Sequence, residues 1–374
     1  MIKRKLLKNI ENELFKRKAI ILIGPRQVGK TTLVDSLAKK HKNKTLFLNC
    51  DEPETRESLT NTNTTKLKLL IKDTKLLIID EAQRVDNIGL TLKLIVDNFK
   101  DVQVVATGSS AFELRNKLNE PLTGRKIEYR LYPISSGEII DTQNIIEEKK
   151  SLETRLIYGS YPDIFNNPQK ARNYLLELCQ SYLYKDIFAV NEIRKPAIIE
   201  NLLKALAFQV GSEVSINELS KTLQTDNKTI ERYIDLLEKC YVIFRLNGLS
   251  RNLRSELKKN KKIYFYDNGV RNAIIQNFAP PQMRNDMGAL WENFFITERM
   301  KHNHYSENFC NSYFWRTTQQ QEIDLVEESD GSMTIFEIKW NSNRKVSFPK
   351  TFLANYPVKD SIVITPENYI DYLI

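Results

Sequence analysis

Ala19-Ile-Ile-Leu-Ile-Gly-Pro-Arg-Gln-Val-Gly-Lys-Thr-Thr-Leu33 joins a continuous apolar run to a helical pattern through the octet Gly24-Pro-Arg-Gln-Val-Gly-Lys-Thr31. The octet is G-x-x-x-x-G-K-[ST], and it sits where that motif needs to sit, after a strand and before a helix. The loop Gly24, Pro25, Arg26, Gln27, Val28 and Gly29 is expected to wrap phosphate with the backbone N–H groups it has, helped by the helix N-terminus. Lys30 would reach the β- and γ-phosphates, Thr31 would bring its hydroxyl to Mg²⁺, and Thr32 opens the helix. The ligand expected is ATP with Mg²⁺.

Outward from this loop, apolar runs recur: Thr45-Leu-Phe-Leu48, Lys75-Leu-Leu-Ile-Ile-Asp80, Val102-Gln-Val-Val-Ala106 and Ile127-Glu-Tyr-Arg-Leu131. Their hydrophobicity is continuous rather than alternating, which predicts an α/β fold with a parallel sheet covered on both faces. The third run ends in Asp80-Glu81, 50 residues after Lys30. Asp80 is expected in the Mg²⁺ shell and Glu81 as the base that activates water. The fourth run continues into Thr107-Gly-Ser-Ser110. There Ser109 or Ser110 either positions the attacking water or caps the following helix. Leu122-Thr-Gly-Arg125 offers Arg125 either as an ordinary surface cation or as a finger projecting into a neighbour's site.

The whole chain has 374 residues, 41% hydrophobic and 28% charged, a globular composition. No apolar run approaches the roughly 18 residues that a membrane span requires. The basic N-terminus lacks the apolar stretch of a secretory signal. Cys50, Cys179, Cys240 and Cys310 are too widely spaced for a zinc or disulfide framework, so a reducing cytoplasm is expected. The net charge of +9 is uneven: residues 1–262 carry +13 and residues 263–374 carry −4. The basic part suits an anionic partner such as nucleic acid, or is simply a lysine-rich surface.

After the α/β region the pattern turns helical, interrupted by Tyr158-Gly-Ser-Tyr-Pro162. Ser215-Ile-Asn-Glu-Leu-Ser-Lys-Thr-Leu223 and the helix of residues 228–240 then predict a helix-turn-helix. Two strands follow, flanking a loop with Arg251, Arg254, Lys258, Lys259, Lys261 and Lys262 against Glu256 alone. That is the order of a winged helix with a basic wing, whose lysines would contact DNA phosphates without reading sequence. The helix itself is mixed in charge, with Glu231, Asp235 and Glu238 among its cations. In the tail, Asp324 precedes Glu337 by 13 residues, and Lys339 lies two further on, on the same strand face. With Glu292 on a preceding helix, these four form a candidate nuclease site in which carboxylates bind Mg²⁺ and the lysine orients water.

The octet, Ile79-Asp-Glu-Ala-Gln83, Thr107-Gly-Ser-Ser110, Leu122-Thr-Gly-Arg125 and Leu131-Tyr-Pro-Ile-Ser135 together resemble the prokaryotic AAA+ ATPases that carry a C-terminal domain of unknown function. The tail resembles the PD-(D/E)XK nuclease core. The resemblance implies four modules: an AAA+ P-loop ATPase domain over 1–142, a helical lid over 143–210, a winged-helix domain over 211–282, and an α/β restriction-endonuclease-like domain over 283–374. It also implies Mg·ATP hydrolysis by an oligomer, a hexamer in the family, with Ser109 or Ser110 as sensor and Arg125 as finger. Three functions follow: an ATP-driven machine on DNA, a regulatory switch with a protein client, or an ATP-gated nuclease.

Overall fold

The apolar runs become β1 (Ala19–Ile23), β2 (Thr45–Asn49), β3 (Leu76–Asp80), β4 (Gln103–Gly108) and β5 (Lys126–Arg130) of one sheet. All pairings are parallel, in the order β2-β3-β4-β1-β5. Every residue of β1, β3 and β4 is buried, which is why these runs do not alternate. The helix Lys30–Lys40 presents Leu33, Val34 and Leu37 to the interior, and Ile88–Asn98 presents Leu92 and Ile95. Because β4 lies between β1 and β3, Ile23 is level with Gly108, and Ile79 with Ala106. The carboxyl ends of three strands therefore meet at one edge, where open α/β sheets present ligand sites.

This computed structural model describes residues 2–41, 44–108, 122–183, 187, 195–250 and 261–374. The sheet belongs to the first of two compact units, Arg4–Tyr132 with Lys239–Tyr241. The second unit comprises Met1–Lys3, Pro133–Glu238 and Val242–Ile374. The helix Ser136–Thr142, expected with the ATPase module, lies in the second unit. Its first amide donates to Glu298 Oε2 at 2.6 Å.

Within the second unit, β6 (Glu213–Val214), β7 (Ile243–Gly248) and β8 (Lys261–Phe265) join β9 (Asn311–Arg316), β10 (Glu322–Ser329), β11 (Ser332–Ile338) and β12 (Val358–Ile364). They form one seven-stranded sheet, β12-β11-β10-β9-β7-β8-β6. The expected third and fourth modules thus share a sheet. The seam is a parallel pairing of Asn247 with Tyr313 and Gly248 with Phe314, which covers an edge of β7 that would otherwise stay unpaired. Ser215 caps the helix Ile216–Thr222 by accepting from the Glu218 amide, and the helix Asn227–Lys239 follows.

Gly159, in the Tyr158–Pro162 interruption, has φ +74°, and a Cβ there would fall 1.9 Å from Asp267 Oδ1. Only glycine fits. The Ser160 amide donates to Asp267 Oδ2 at 2.7 Å. Nearby, the fully buried Arg155 is ringed by Glu148, Glu298, Ser136 and Ser160 and stands over the Phe294 ring.

Candidate functional site

The phosphate loop is shaped by two glycines. A Cβ on Gly24 would lie 2.2 Å from the Leu131 carbonyl oxygen, so any other residue would break the approach of β1 to the segment after β5. Gly29 takes φ +91° immediately before the helix Lys30–Lys40, turning the chain so that helix N–H groups face the loop. Lys30 is 5% exposed, and its Nζ donates to the carbonyls of Gly24 (3.0 Å) and Pro25 (2.7 Å). Pro25 and Val28 are buried, Arg26 and Gln27 half-buried, and Thr32 exposed. Sequence reading missed Arg4, whose guanidinium ties the loop down by donating to the carbonyls of Val28 (2.6 Å) and Tyr132 (2.5 Å).

Across the edge, Thr31 Oγ1 donates to Asp80 Oδ2 at 2.9 Å. Thr107, at the end of β4, donates its hydroxyl to the other oxygen, Asp80 Oδ1, and accepts from the Glu81 amide at 3.2 Å. Glu81 adopts φ +53°, a left-handed conformation that costs a non-glycine residue and is held here by its neighbours. Gln83 Nε2 donates to Glu81 Oε2 at 2.5 Å. Thr31, Asp80 and Glu81 are thus brought together, and Thr107 is the hydroxyl that links the two carboxylate residues. Ser109 and Ser110, the expected sensors, lie outside the described residues. Thr31 and Asp80 supply adjacent hydroxyl and carboxylate oxygens, a donor set that suits Mg²⁺. Beside them, burial and the charge of Asp80 push the Cys50 thiol up to about 12, leaving it protonated and unreactive.

Arg125 sits at the opposite end of the sheet. Its carbonyl accepts from the Ala19 amide at 2.8 Å, and its Nε meets Asp97 Oδ1 at 2.7 Å. The length of β1 separates it from its own phosphate loop.

In the second unit, Lys339 Nζ lies 2.9 Å from Asp324 Oδ2 and 2.7 Å from Glu337 Oε2, so those three side chains do converge. Asp324 Oδ2 also accepts from the Ile338 amide at 2.8 Å. Burial and then the Asp324 charge push Glu337 up to about 7. Glu292 is held instead by Lys262 (3.1 Å) and the Tyr264 hydroxyl (2.6 Å). Burial and the nearby Asp324 raise its pKa, although Lys262 opposes them. Among the described residues no three His, Cys, Asp or Glu side chains are grouped to hold a metal.

Lys262 corrects one expectation. Its side chain is 3% exposed and lies between Glu292 and Glu322, the latter at 2.6 Å. Burial alone would lower its pKa, but those carboxylates raise it above the ordinary lysine value. It is an internal cation and is not presented to phosphate. Lys261, at the start of β8, is half-buried, and Lys258 and Lys259 lie outside the described residues. On the helix Asn227–Lys239, Asp235 and Glu238 both contact Arg245 of β7, which neutralises that face.

A phosphate loop after β1, with Asp80 ending a strand two places away and Glu81 following it, is the arrangement of a P-loop nucleotide-binding fold. A family model described as an AAA domain matches residues 16–140. Two domains of unknown function, DUF8612 and DUF4143, match residues 149–280 and 287–373. An uncharacterized protein of Haemophilus influenzae is 27% identical, over 53% of this chain and 52% of its own length. The chain thus spans about half of that relative. An uncharacterized protein of Mycobacterium tuberculosis is 25% identical over 90% of this chain and 74% of its own. A Walker-type ATPase of Pyrococcus abyssi matches in structure with a TM-score of 0.50 at 15% identity, covering 74% of this chain and 96% of that one. At that identity the match carries the fold alone. No helix among the described residues is long and apolar enough to cross a membrane.

Proposed function

We propose that the protein is a Mg²⁺-dependent ATPase that works on DNA as a homo-oligomer. The observation that carries the ATPase reading is the chain of hydrogen bonds from Thr31 through Asp80 and Thr107 to the Glu81 backbone. The loop amides of 26–29 bind the phosphates, and Lys30 exchanges its bonds to the Gly24 and Pro25 carbonyls for β- and γ-phosphate oxygens. Thr31 and Asp80 would hold Mg²⁺, which would supply neutralising charge for the phosphates. Glu81, angled by its left-handed backbone and held by Gln83, takes a proton from the attacking water. Arg125 cannot reach its own loop and therefore acts, if at all, on the site of a neighbouring copy.

For DNA, support comes from the helix-turn-helix followed by the β7–β8 hairpin, the order of a winged helix, and from the basic balance of residues 1–262. The β9–β12 region, with Asp324, Glu337 and Lys339 converged, supports a nuclease-like fold. Lys339 already bridges both carboxylates, which favours a binding role over cleavage.

One experiment tests the reading. ATP affinity and steady-state turnover are measured with and without DNA for wild type, Lys30→Ala and Glu81→Gln, and the DNA in each sample is sized for Mg²⁺-dependent cleavage. Lys30→Ala should lose nucleotide binding, whereas Glu81→Gln should bind ATP and stop turning over. Wild-type turnover by Glu81→Gln would remove Glu81 as the base.

A further inference from the structure

The amino-terminal edge of the parallel sheet carries a feature that the ATP site does not use. An open groove of about 910 Å³ is lined by Phe15 and Arg17 before β1, Lys39, Lys40 and His41 ending the helix Lys30–Lys40, Lys44 before β2, Lys75 before β3, and Lys100 with Asp101 before β4. Six cations face one carboxylate. Lys75 meets Asp101 at 3.8 Å and Lys40 contacts Glu11, but Arg17, Lys39, Lys44 and Lys100 have no carboxylate partner among the described residues. Like charges gathered around one concavity repel each other, a cost that a polyanion would reverse.

The groove also has an aromatic wall. Phe15 is 49% exposed, and its ring meets the His41 ring edge-on at 5.9 Å. The segment that carries it is held at its backbone. Phe15 and Arg17 take φ +62° and +58°, a strained backbone for side-chain-bearing residues. The 2%-exposed Gln103 holds the segment from below: its Oε1 accepts from the Phe15 amide at 2.6 Å, and its Nε2 donates to the Lys18 carbonyl at 2.9 Å. A buried side chain thus holds a strained turn that displays an aromatic face beside cations.

We propose that this groove binds a single-stranded nucleic acid, with phosphates on Arg17, Lys39, Lys44 and Lys100 and a base stacked on Phe15. Cations tracking the backbone, together with aromatic faces for bases, are what sequence-tolerant single-strand binding requires. A duplex keeps its bases stacked and cannot offer one to Phe15. A flat anionic membrane would leave the concavity unfilled. The site lies at the opposite edge of the sheet from Lys30, Asp80 and Glu81, so the first unit would hold ATP at one edge and the strand at the other. The inference rests on the reading that the protein acts on nucleic acid, and moves the main contact from the wing to the ATPase unit.

The test measures fluorescence anisotropy of labelled single-stranded DNA, single-stranded RNA and duplex DNA of equal length against salt. Co-sedimentation with phosphatidylserine vesicles is run alongside. The proteins are wild type, the triple variant Arg17→Gln/Lys44→Gln/Lys100→Gln, and Phe15→Ala. Unfolding midpoints establish that each is folded. Wild type should prefer single strands. The triple variant should bind at least about tenfold more weakly, with the slope of log K against log[salt] flattened by about 2, since each phosphate contact on a single strand contributes about 0.7. Phe15→Ala should weaken single-strand binding about tenfold and leave the salt slope unchanged, because stacking releases no counterions. If both variants keep wild-type affinity and slope, the groove is not the site, while the nucleic-acid reading stands on the wing. If wild type binds no nucleic acid, or binds only the vesicles, the proposal and the nucleic-acid reading both fall, and the ATPase reading is untouched.

Discussion

Thr107 carries more of the proposed ATP site than its place in the sequence suggests. Its hydroxyl donates to Asp80 and accepts from the Glu81 amide, so it sets the spacing between the carboxylate proposed to hold Mg²⁺ and the proposed base. Thr107→Val keeps the shape and removes the hydroxyl. ATP affinity should stay within a few-fold of wild type, and turnover should fall about 100-fold, the usual scale for one preorganised polar group at a reacting centre. Steady-state phosphate release alongside equilibrium nucleotide binding separates the two quantities. Unchanged turnover would make Thr107 a purely structural link. The sequence placed three hydroxyls near the end of the β4 run, at 107, 109 and 110. Which of them meets Asp80 depends on the register between β3 and β4, and no local pattern encodes that.

At the scale of elements, the two kinds of ion pair in this protein should respond very differently to truncation. Arg155, on the helix Ile145–Tyr158, is 1% exposed and shared by two carboxylates, Glu148 and Glu298, that are no more exposed than 2%. Arg155→Ala leaves both buried without their guanidinium, and the second unit should lose about 3–5 kcal/mol. Arg125→Ala breaks a pair with Asp97 whose side chains are 41% and 37% exposed, so the first unit should lose less than about 1 kcal/mol. Urea unfolding of the two variants measures the contrast. Equal losses would mean that burial does not govern these pairs. The helices and strands themselves were largely legible, because apolar periodicity is local: the expected helix of residues 228–240 forms at Asn227–Lys239. The partners of Arg155 were not legible, because Glu298 lies 143 residues further along.

For the molecule as a whole, Asp267 links stability to pH. It is buried, which pushes its carboxyl from 3.8 up to about 6, although the Ser160 and Val270 amides and Lys301 favour its ionised form. A carboxyl whose folded pKa is raised binds its proton more tightly in the folded state than in the unfolded chain. Its contribution is therefore largest below about pH 4 and declines as pH rises through 4 to 6, by up to about 3 kcal/mol. Asp267→Asn is neutral at every pH, so the stability difference between wild type and this variant should shift against wild type between pH 4.5 and pH 7. Unfolding free energies across that window measure it. A difference that does not change with pH would mean that Asp267 titrates normally.

The octet 24–31, the apolar runs and the carboxylate pair at 80–81 determined the α/β sheet and the residues of the proposed ATP site by themselves. These features act through neighbours in the chain: a strand, a tight loop and a helix N-terminus within a dozen residues. The converged trio of Asp324, Glu337 and Lys339 was legible for the same reason, since period-two strands in a short antiparallel pair bring those positions to one face. Lys262 was misread because in sequence it belongs to a basic run. The carboxylates that bury it come from a helix 30 residues on and a strand 60 residues on. The shared seven-stranded sheet was likewise decided only in three dimensions, by the unpaired edge of β7 meeting β9. The basic groove has the same origin: its cations stand far apart in the chain and meet because parallel strands gather all their amino ends at one edge.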